Sequence, residues 1–127
     1  MKTRIIISLA GLTLLSIYLT SCKHEPELPP GTPIVCFDQE VMGIINSNCN
    51  VPGCHGSGEG PSLSTYEDVY SYVTAGKPMQ SELHKVITAH SNLEGLMPPK
   101  PKSALSSSQI DIISIWILQG ATHTTCP

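Results

Sequence analysis

Cys49-Asn50-Val51-Pro52-Gly53-Cys54-His55 places two thiols and an imidazole within seven residues, with a Pro-Gly turn between the thiols. A histidine directly after a cysteine suits porphyrin attachment: the thioether fixes the ring edge and sets the imidazole beneath the iron. The usual signature is C-x-x-C-H, whereas here four residues separate the cysteines. Pro52-Gly53 gives this longer insert a turn in which it can bulge without moving either sulfur far. Read this way, Cys49 and Cys54 carry haem c through thioethers and His55 is the proximal iron ligand.

Two other chemistries compete for the same residues. Cys36, Cys49, Cys54 and Cys126 allow three disulfide pairings. Cys49, Cys54 and His55 with one further ligand would also suit zinc. An oxidising compartment disfavours the zinc reading and favours disulfides. On the heptapeptide alone, haem and disulfide are equally supported.

Met97-Pro98-Pro99 separates them. A thioether is a soft ligand suited to the far side of a haem iron, and His/Met ligation raises its reduction potential. The prolines stiffen the backbone behind the sulfur, which lowers the ordering cost of presenting it. Met97 is therefore the expected distal ligand, against the common fate of a methionine as loop packing. Met79, His84 and His90 are the alternatives, and Met42 lies too near Cys49 in sequence to reach across the iron. His84 reads as a surface helix residue, and His90 falls near a helix C-terminus, where the dipole favours a protonated imidazole.

Outward from the site, the chain reads as all-α with long loops. Phe37, Val41, Ile44 and Ile45 recur at helical spacing and predict a first helix from Asp38, as N-cap, to about Ser47. Residues 49–63 carry Gly53, Gly56, Gly58, Gly60 and Pro61 and read as loop. Ser64 with Glu67 predicts a capping box for a second helix, Tyr66 to about Ala75, with Val69, Tyr70 and Val73 on its apolar face and Gly76 closing it. A third runs from Ser81 to about Ala89 with Leu83, Val86 and Ile87. Residues 91–104 read as loop again. Ser106 with Gln109 caps a last helix that runs to Gln119 before Gly120. Its Ile110, Ile112, Ile113, Ile115, Trp116, Ile117 and Leu118 leave few polar positions, so burial on more than one side is expected. The β-branched residues would also suit a strand, but length, cap and terminating glycine favour helix.

The N-terminus reads as an export signal. Lys2 and Arg4 precede an apolar run from Ile5 to Leu19 that is too short and too rich in Ser and Thr for a comfortable membrane span. Leu19-Thr20-Ser21-Cys22 resembles a lipobox, with cleavage before Cys22 and lipid on its sulfur; the competing reading is an ordinary signal peptide with an incidental cysteine. The expected organisation is a signal peptide over 1–21, a Pro-rich tether over 22–34 and one small domain over 35–127. The prolines of the tether remove donors and fix φ, so it is expected to hold the domain off the membrane without packing. Beyond the signal, five Lys oppose ten Asp plus Glu, a net charge of −5. Nothing forms a basic patch, which excludes nucleic acid as an expected partner. Aromatic residues make up only 5% of the chain, and a core drawn from about ninety residues is modest; a buried porphyrin would fill it.

In order and spacing, Ile44-Ile45-Asn46-Ser47-Asn48-Cys49, Gly53-Cys54-His55-Gly56, Ser81-Glu82-Leu83, Met97-Pro98-Pro99 and Ile115-Trp116-Ile117-Leu118-Gln119-Gly120-Ala121 resemble the planctomycete-type cytochrome c domain, class I-like, in a small bacterial lipoprotein. The likeness spans about Val35 to Cys126, and the wide cysteine spacing resembles variant sites in some multihaem cytochromes. The resemblance implies a small cytochrome c-like fold of about four helices around covalent haem c on Cys49 and Cys54, with His55 proximal and Met97 distal. It implies a monohaem electron carrier, not an enzyme, that passes single electrons between redox protein partners in the periplasm or at the cell surface, held to the membrane through lipid on Cys22. Trp116 and the last helix would then pack on the haem and the first helix. Cys36 just precedes the first helix and Cys126 just follows the last; if those helices cross, as the terminal helices of a small haem domain do, a disulfide would close a loop of about ninety residues. Two other classes stay open: a non-redox, disulfide- or zinc-stabilised lipoprotein acting as a binding or assembly subunit, and catalysis such as peroxide reduction at an open iron.

Overall fold

The computed structural model describes residues 24–57, 60–89 and 95–126. Among them the structure is helical and contains no strand. The signal run and Cys22 lie outside the described residues, as does His90. No helix of the described residues is long and apolar enough to cross a membrane.

The first helical stretch opens with a π-helical turn, Phe37–Val41, that runs into α1, Met42–Asn48. The four apolar residues that predicted it, Phe37, Val41, Ile44 and Ile45, are all buried. Asp38 is not its N-cap. Helical geometry begins one residue earlier because Cys36 and Phe37 are tied to the far end of the chain: the Phe37 N–H donates to Thr124 Oγ1 at 3.0 Å, and Cys36 and Cys126 stand at disulfide distance with Cα atoms 5.7 Å apart. Glu40 reaches back to accept the Cys36 N–H at 2.7 Å, which satisfies an orphan donor of the first turn. Asp38 instead points outward and pairs with His123 Nε2 at 2.9 Å.

α2 is shorter than its periodicity suggests, Tyr66–Tyr70, and its capping box is shifted by one residue to Thr65 and Asp68. The sequence Ser-Thr-Tyr-Glu-Asp offers both registers. Asp68 wins because its carboxylate also collects the Ser62 hydroxyl at 2.7 Å and the Ser64 N–H at 3.0 Å. The Ser62 hydrogen bond, with those of Thr65 and Ser64 behind it, holds the Asp68 carboxyl below its ordinary value against the opposing effect of desolvation. Val69 is fully buried as expected, but Tyr70 is exposed, so the apolar face is narrower than predicted. Gly76 follows not the helix but a turn, with φ +74. A 3₁₀ turn, Pro78–Gln80, which the periodicity did not reveal, then leads into α3, Glu82–Thr88. Ser81 between them is buried to 1% exposure; its hydroxyl donates to Lys77 O at 2.9 Å and accepts the Thr74 N–H at 2.9 Å.

α4, Ser107–Leu118, carries the predicted Ser106–Gln109 capping box. Ile113, Trp116 and Ile117 are buried and Ile110, Ile112 and Ile115 are partly so. Packing on more than one side is what so uniform a helix needs. Trp116 meets the Phe37 ring at 5.2 Å and donates its indole N–H to Thr122 O at 2.9 Å. Phe37 in turn meets Tyr66 edge-on at 5.0 Å, so an aromatic joint ties the first helical stretch to α2 and α4 within a largely aliphatic core.

The tether does pack, contrary to the expectation for it. Glu25 accepts the Met79 N–H at 3.0 Å, Leu28 is half-buried, and Gln119 clamps the other end by donating to Pro33 O at 2.7 Å and accepting the Val35 N–H at 2.9 Å. His84 lies in the groove beneath and is half-buried rather than fully exposed. Burial lowers its pKa below the ordinary 6.5, with Glu25 opposing. Glu27 and Asp111 are the other titratable groups lining that groove. A depressed folded value means the unfolded chain takes the proton first. The contribution is therefore intact above pH 6.5 and is lost as pH falls below it. In urea titrations between pH 7 and 5, the wild type should lose more stability on acidification than His84→Gln; parallel curves would rule out this role for His84.

Candidate functional site

α1 delivers the chain directly to Cys49, which caps it and donates its N–H to Ile45 O at 2.8 Å. The following loop folds back on itself. Cys54 N–H reaches Val51 O at 3.0 Å, His55 N–H returns to Cys49 O at 3.2 Å, and Gly56 N–H closes on Val51 O at 3.3 Å. Gly53 takes φ +79 at the turn, a conformation glycine adopts without steric cost. The four-residue insert is thereby absorbed as a closed turn, with the second thiol and the imidazole carried back toward the first. Cys49 is buried, Cys54 is partly buried, and both are free thiols. Of the possible disulfide pairings, the structure forms Cys36–Cys126 and leaves this pair unbonded.

Among the described residues, the His55 ring makes one hydrogen bond. Its Nδ1 lies 2.8 Å from Pro61 O. A carbonyl can only accept, so Nδ1 carries the proton and Nε2 keeps its lone pair for another partner. An outer-shell carbonyl of this kind orients a metal-binding imidazole and raises its basicity. Gly60 packs against the same ring: a Cβ there would stand 2.7 Å from Nδ1 and 2.9 Å from Cε1. Gly60 and Pro61 are part of the site that loop composition alone did not single out. The signal was a Gly-Pro pair following the histidine by five residues, and Asp68 secures the segment behind it through Ser62 and Ser64. Gly60→Ala is expected to push the imidazole off Pro61 at little cost to the stability of the fold, because the new methyl meets the end of a side chain and not backbone. Loss of the protected His55 Nδ1–H resonance in NMR would report the displacement; an unshifted resonance would show that the loop yields instead.

Met97 comes from a separate segment of the chain. Its N–H donates to Val86 O at 2.9 Å, which pins the start of the Met-Pro-Pro segment to α3. Two adjoining clefts result. One, of about 210 Å³, is lined by Asn48, Cys49, Cys54, His55, Met97 and Pro98, with Gly53, Gly60 and Pro99 completing it. The other, of about 220 Å³, is lined by apolar residues of several segments, Pro61, Leu63, Tyr72, Leu83 and Val86 among them, with Glu82 at its edge. His55 and Met97 line both. Of the distal alternatives, Met79 and His84 line the groove under the tether and His90 lies outside the described residues; Met42 lines neither cleft. Trp116 packs on the first helical stretch at Phe37, as expected, but lines neither cleft.

Burial raises the pKa of the Cys49 thiol, the neighbouring Cys54 adds to the effect, and Lys102 opposes it. The environment thus favours a neutral sulfur over a thiolate. Among the described residues there is no group of three or more His, Cys, Asp or Glu side chains arranged to hold a metal ion. Cys49, Cys54 and His55 are thus not gathered as three ligands around one point. The residues fit haem c: two free thiols that could form thioether bonds, an imidazole whose Nδ1 is committed to a carbonyl, a methionine thioether, and apolar walls. No family model, no curated protein and no solved structure matches this chain.

Proposed function

We propose that this chain is a lipid-anchored c-type cytochrome that carries single electrons between extracytoplasmic redox partners. The observation that carries the reading is the meeting of His55 and Met97, forty-two positions apart, on the shared wall of two clefts, one of which also holds both free thiols. Haem c, once bound, supplies a one-electron Fe(III)/Fe(II) couple. Cys49 and Cys54 would hold the ring as neutral thioethers, which a buried position tolerates far better than the thiolates that zinc requires. His55, with Nδ1 committed to Pro61 O, would offer Nε2 to the iron. Met97 would offer its sulfur, a softer ligand that raises the potential.

If His55 and Met97 both held the iron, no site would be left on it for substrate chemistry, so the reading is a carrier and not an enzyme. Leu63, Tyr72, Leu83 and Val86 would cover the ring and exclude water, which lowers the reorganisation that accompanies a change in iron charge. Cys22 would bear the lipid that keeps the domain at a bacterial membrane.

The test is direct. The chain is expressed with its own N-terminus in a host that matures c-type cytochromes, purified, and extracted with acidified acetone. The expected result is a visible haem spectrum that stays with the polypeptide, lost in Cys49→Ser/Cys54→Ser. A correctly exported, well-folded and colourless protein would overturn the reading.

A further inference from the structure

The tether between the proposed anchor and the domain runs over a groove formed by the 3₁₀ turn, α3 and α4. Pro26, Leu28 and Pro29 line it from above, facing Pro78, His84 and Ile115. The span is clamped at both ends. Glu25 takes the Met79 N–H at 3.0 Å, and Gln119 holds Pro33 and Val35 through a donated and an accepted hydrogen bond. Between the clamps, Thr32 folds back on Pro29 O through its hydroxyl at 2.7 Å and its N–H at 3.2 Å. Four prolines at 26, 29, 30 and 33 restrict the free chain, so seating it costs less conformational entropy than seating a flexible linker would.

We propose that Glu25–Val35 is a docked strap and not a leash, so that lipid on Cys22 holds the 3₁₀ turn and the strap-bearing flank of α3 against the bilayer. This rests on the lipidation of Cys22 in the reading above. Free tether would reach from Cys22 to Val35, about 45 Å when fully extended, whereas a strap clamped at Glu25 leaves three residues, about 11 Å. α3 divides the molecule at this point: His84 faces the strap groove, while Leu83 and Val86 face the apolar cleft shared by His55 and Met97. The strap therefore fixes not only the height of the domain but the direction in which that cleft opens, to the side of α3 away from the anchor. The kind of partner this fits is one held at the same membrane surface.

Two measurements on the full-length matured chain test the docking and the anchor separately. Amide exchange at Met79 reads the Glu25 clamp without reference to lipid. Exchange should be slow in the wild type and at least about tenfold faster in Glu25→Ala, while exchange in α4 is unchanged. Equal rates at Met79 in the two proteins would overturn the strap. Neutron reflectometry of the chain on a supported bilayer then reads the water gap beneath the domain. The gap should be thin in the wild type and wider by on the order of 10 Å in a Glu25→Ala/Gln119→Ala variant; equal gaps would overturn the claim about height. A purified chain whose mass shows no lipid would overturn the anchor and the membrane orientation, while Met79 exchange would still decide whether the strap is seated.

Discussion

Replacing Cys36 and Cys126 together by serine is expected to lower the unfolding free energy by about 4–5 kcal/mol. The bond joins residues 90 apart, so it closes almost the whole described domain into one loop and removes a correspondingly large entropy from the unfolded chain. Folded-state contacts cooperate with it. The Phe37 N–H reaches Thr124 at 3.0 Å, Thr124 donates to Val35 O at 2.8 Å, Gln39 donates to Cys126 O at 3.1 Å, and His123 meets Asp38 at 2.9 Å. All four join the start of the first helical turn to the segment after α4, and all depend on the two ends being held in register. Small domains are stable by only about 5–15 kcal/mol, and the disulfide supplies a large share of that. Urea denaturation of the double-serine variant, compared with wild type under oxidising and reducing conditions, gives the difference. A change under about 1 kcal/mol would show that the hydrogen bonds between the ends suffice without the covalent link.

How much of this was legible in the sequence differs from element to element. α4 was readable because its signals agree: a Ser-Gln capping box, an unbroken apolar run and a glycine after the end, all present in the structure. The burial of Phe37, Val41, Ile44 and Ile45 followed from spacing alone. What spacing could not show was the start of that helix, because the residues that move it from Asp38 to Phe37 are Thr124 and Cys126, nearly ninety positions away. α2 failed for a local reason. Two overlapping capping registers were available, and the choice was made by Ser62, a residue outside both patterns. Its length failed for a tertiary one: the chain is turned after Tyr70 by the buried Ser81, which bonds Thr74.

The site divides the same way. Cys49, Cys54, His55 and Met97 could be chosen as residue types with the right chemistry, and the structure brings all four to one cleft. Gly60, Pro61 and Val86, which set the orientation of His55 and the position of Met97, contribute a missing side chain and two backbone carbonyls. Such groups leave little trace in composition, since every residue, proline included, carries a backbone carbonyl. The tether was misjudged for a related reason. Its prolines were taken to keep it from packing, yet they also make it inexpensive to dock once Glu25 and Gln119 provide acceptors and donors at either end.

Under the cytochrome reading proposed above, Met97→Leu should convert a ferrous protein that does not bind carbon monoxide into one that binds it readily, and should lower the reduction potential. Leucine nearly matches methionine in volume, and such exchanges usually cost under about 1.5 kcal/mol, so the apolar lining is kept and only the sulfur is removed. The backbone anchor is independent of the side chain: the residue 97 N–H still donates to Val86 O, 2.9 Å away in the wild type, and Pro98 remains buried. The loop therefore stays where it is, and the change reads ligation and not loop displacement. Potential falls because a sulfur ligand that favours the reduced iron is gone. Met79→Leu is the matched control, since Met79 is 51% exposed and belongs to the strap groove; it should alter neither spectrum nor potential. His84→Gln should likewise leave the spectrum unchanged, because the imidazole lies in that same groove and lines neither of the clefts His55 shares with Met97. If the unmutated ferrous protein already takes up carbon monoxide, Met97 does not hold the sixth position, and an iron open on that side would move the reading from a carrier toward catalysis on small oxidants such as peroxide.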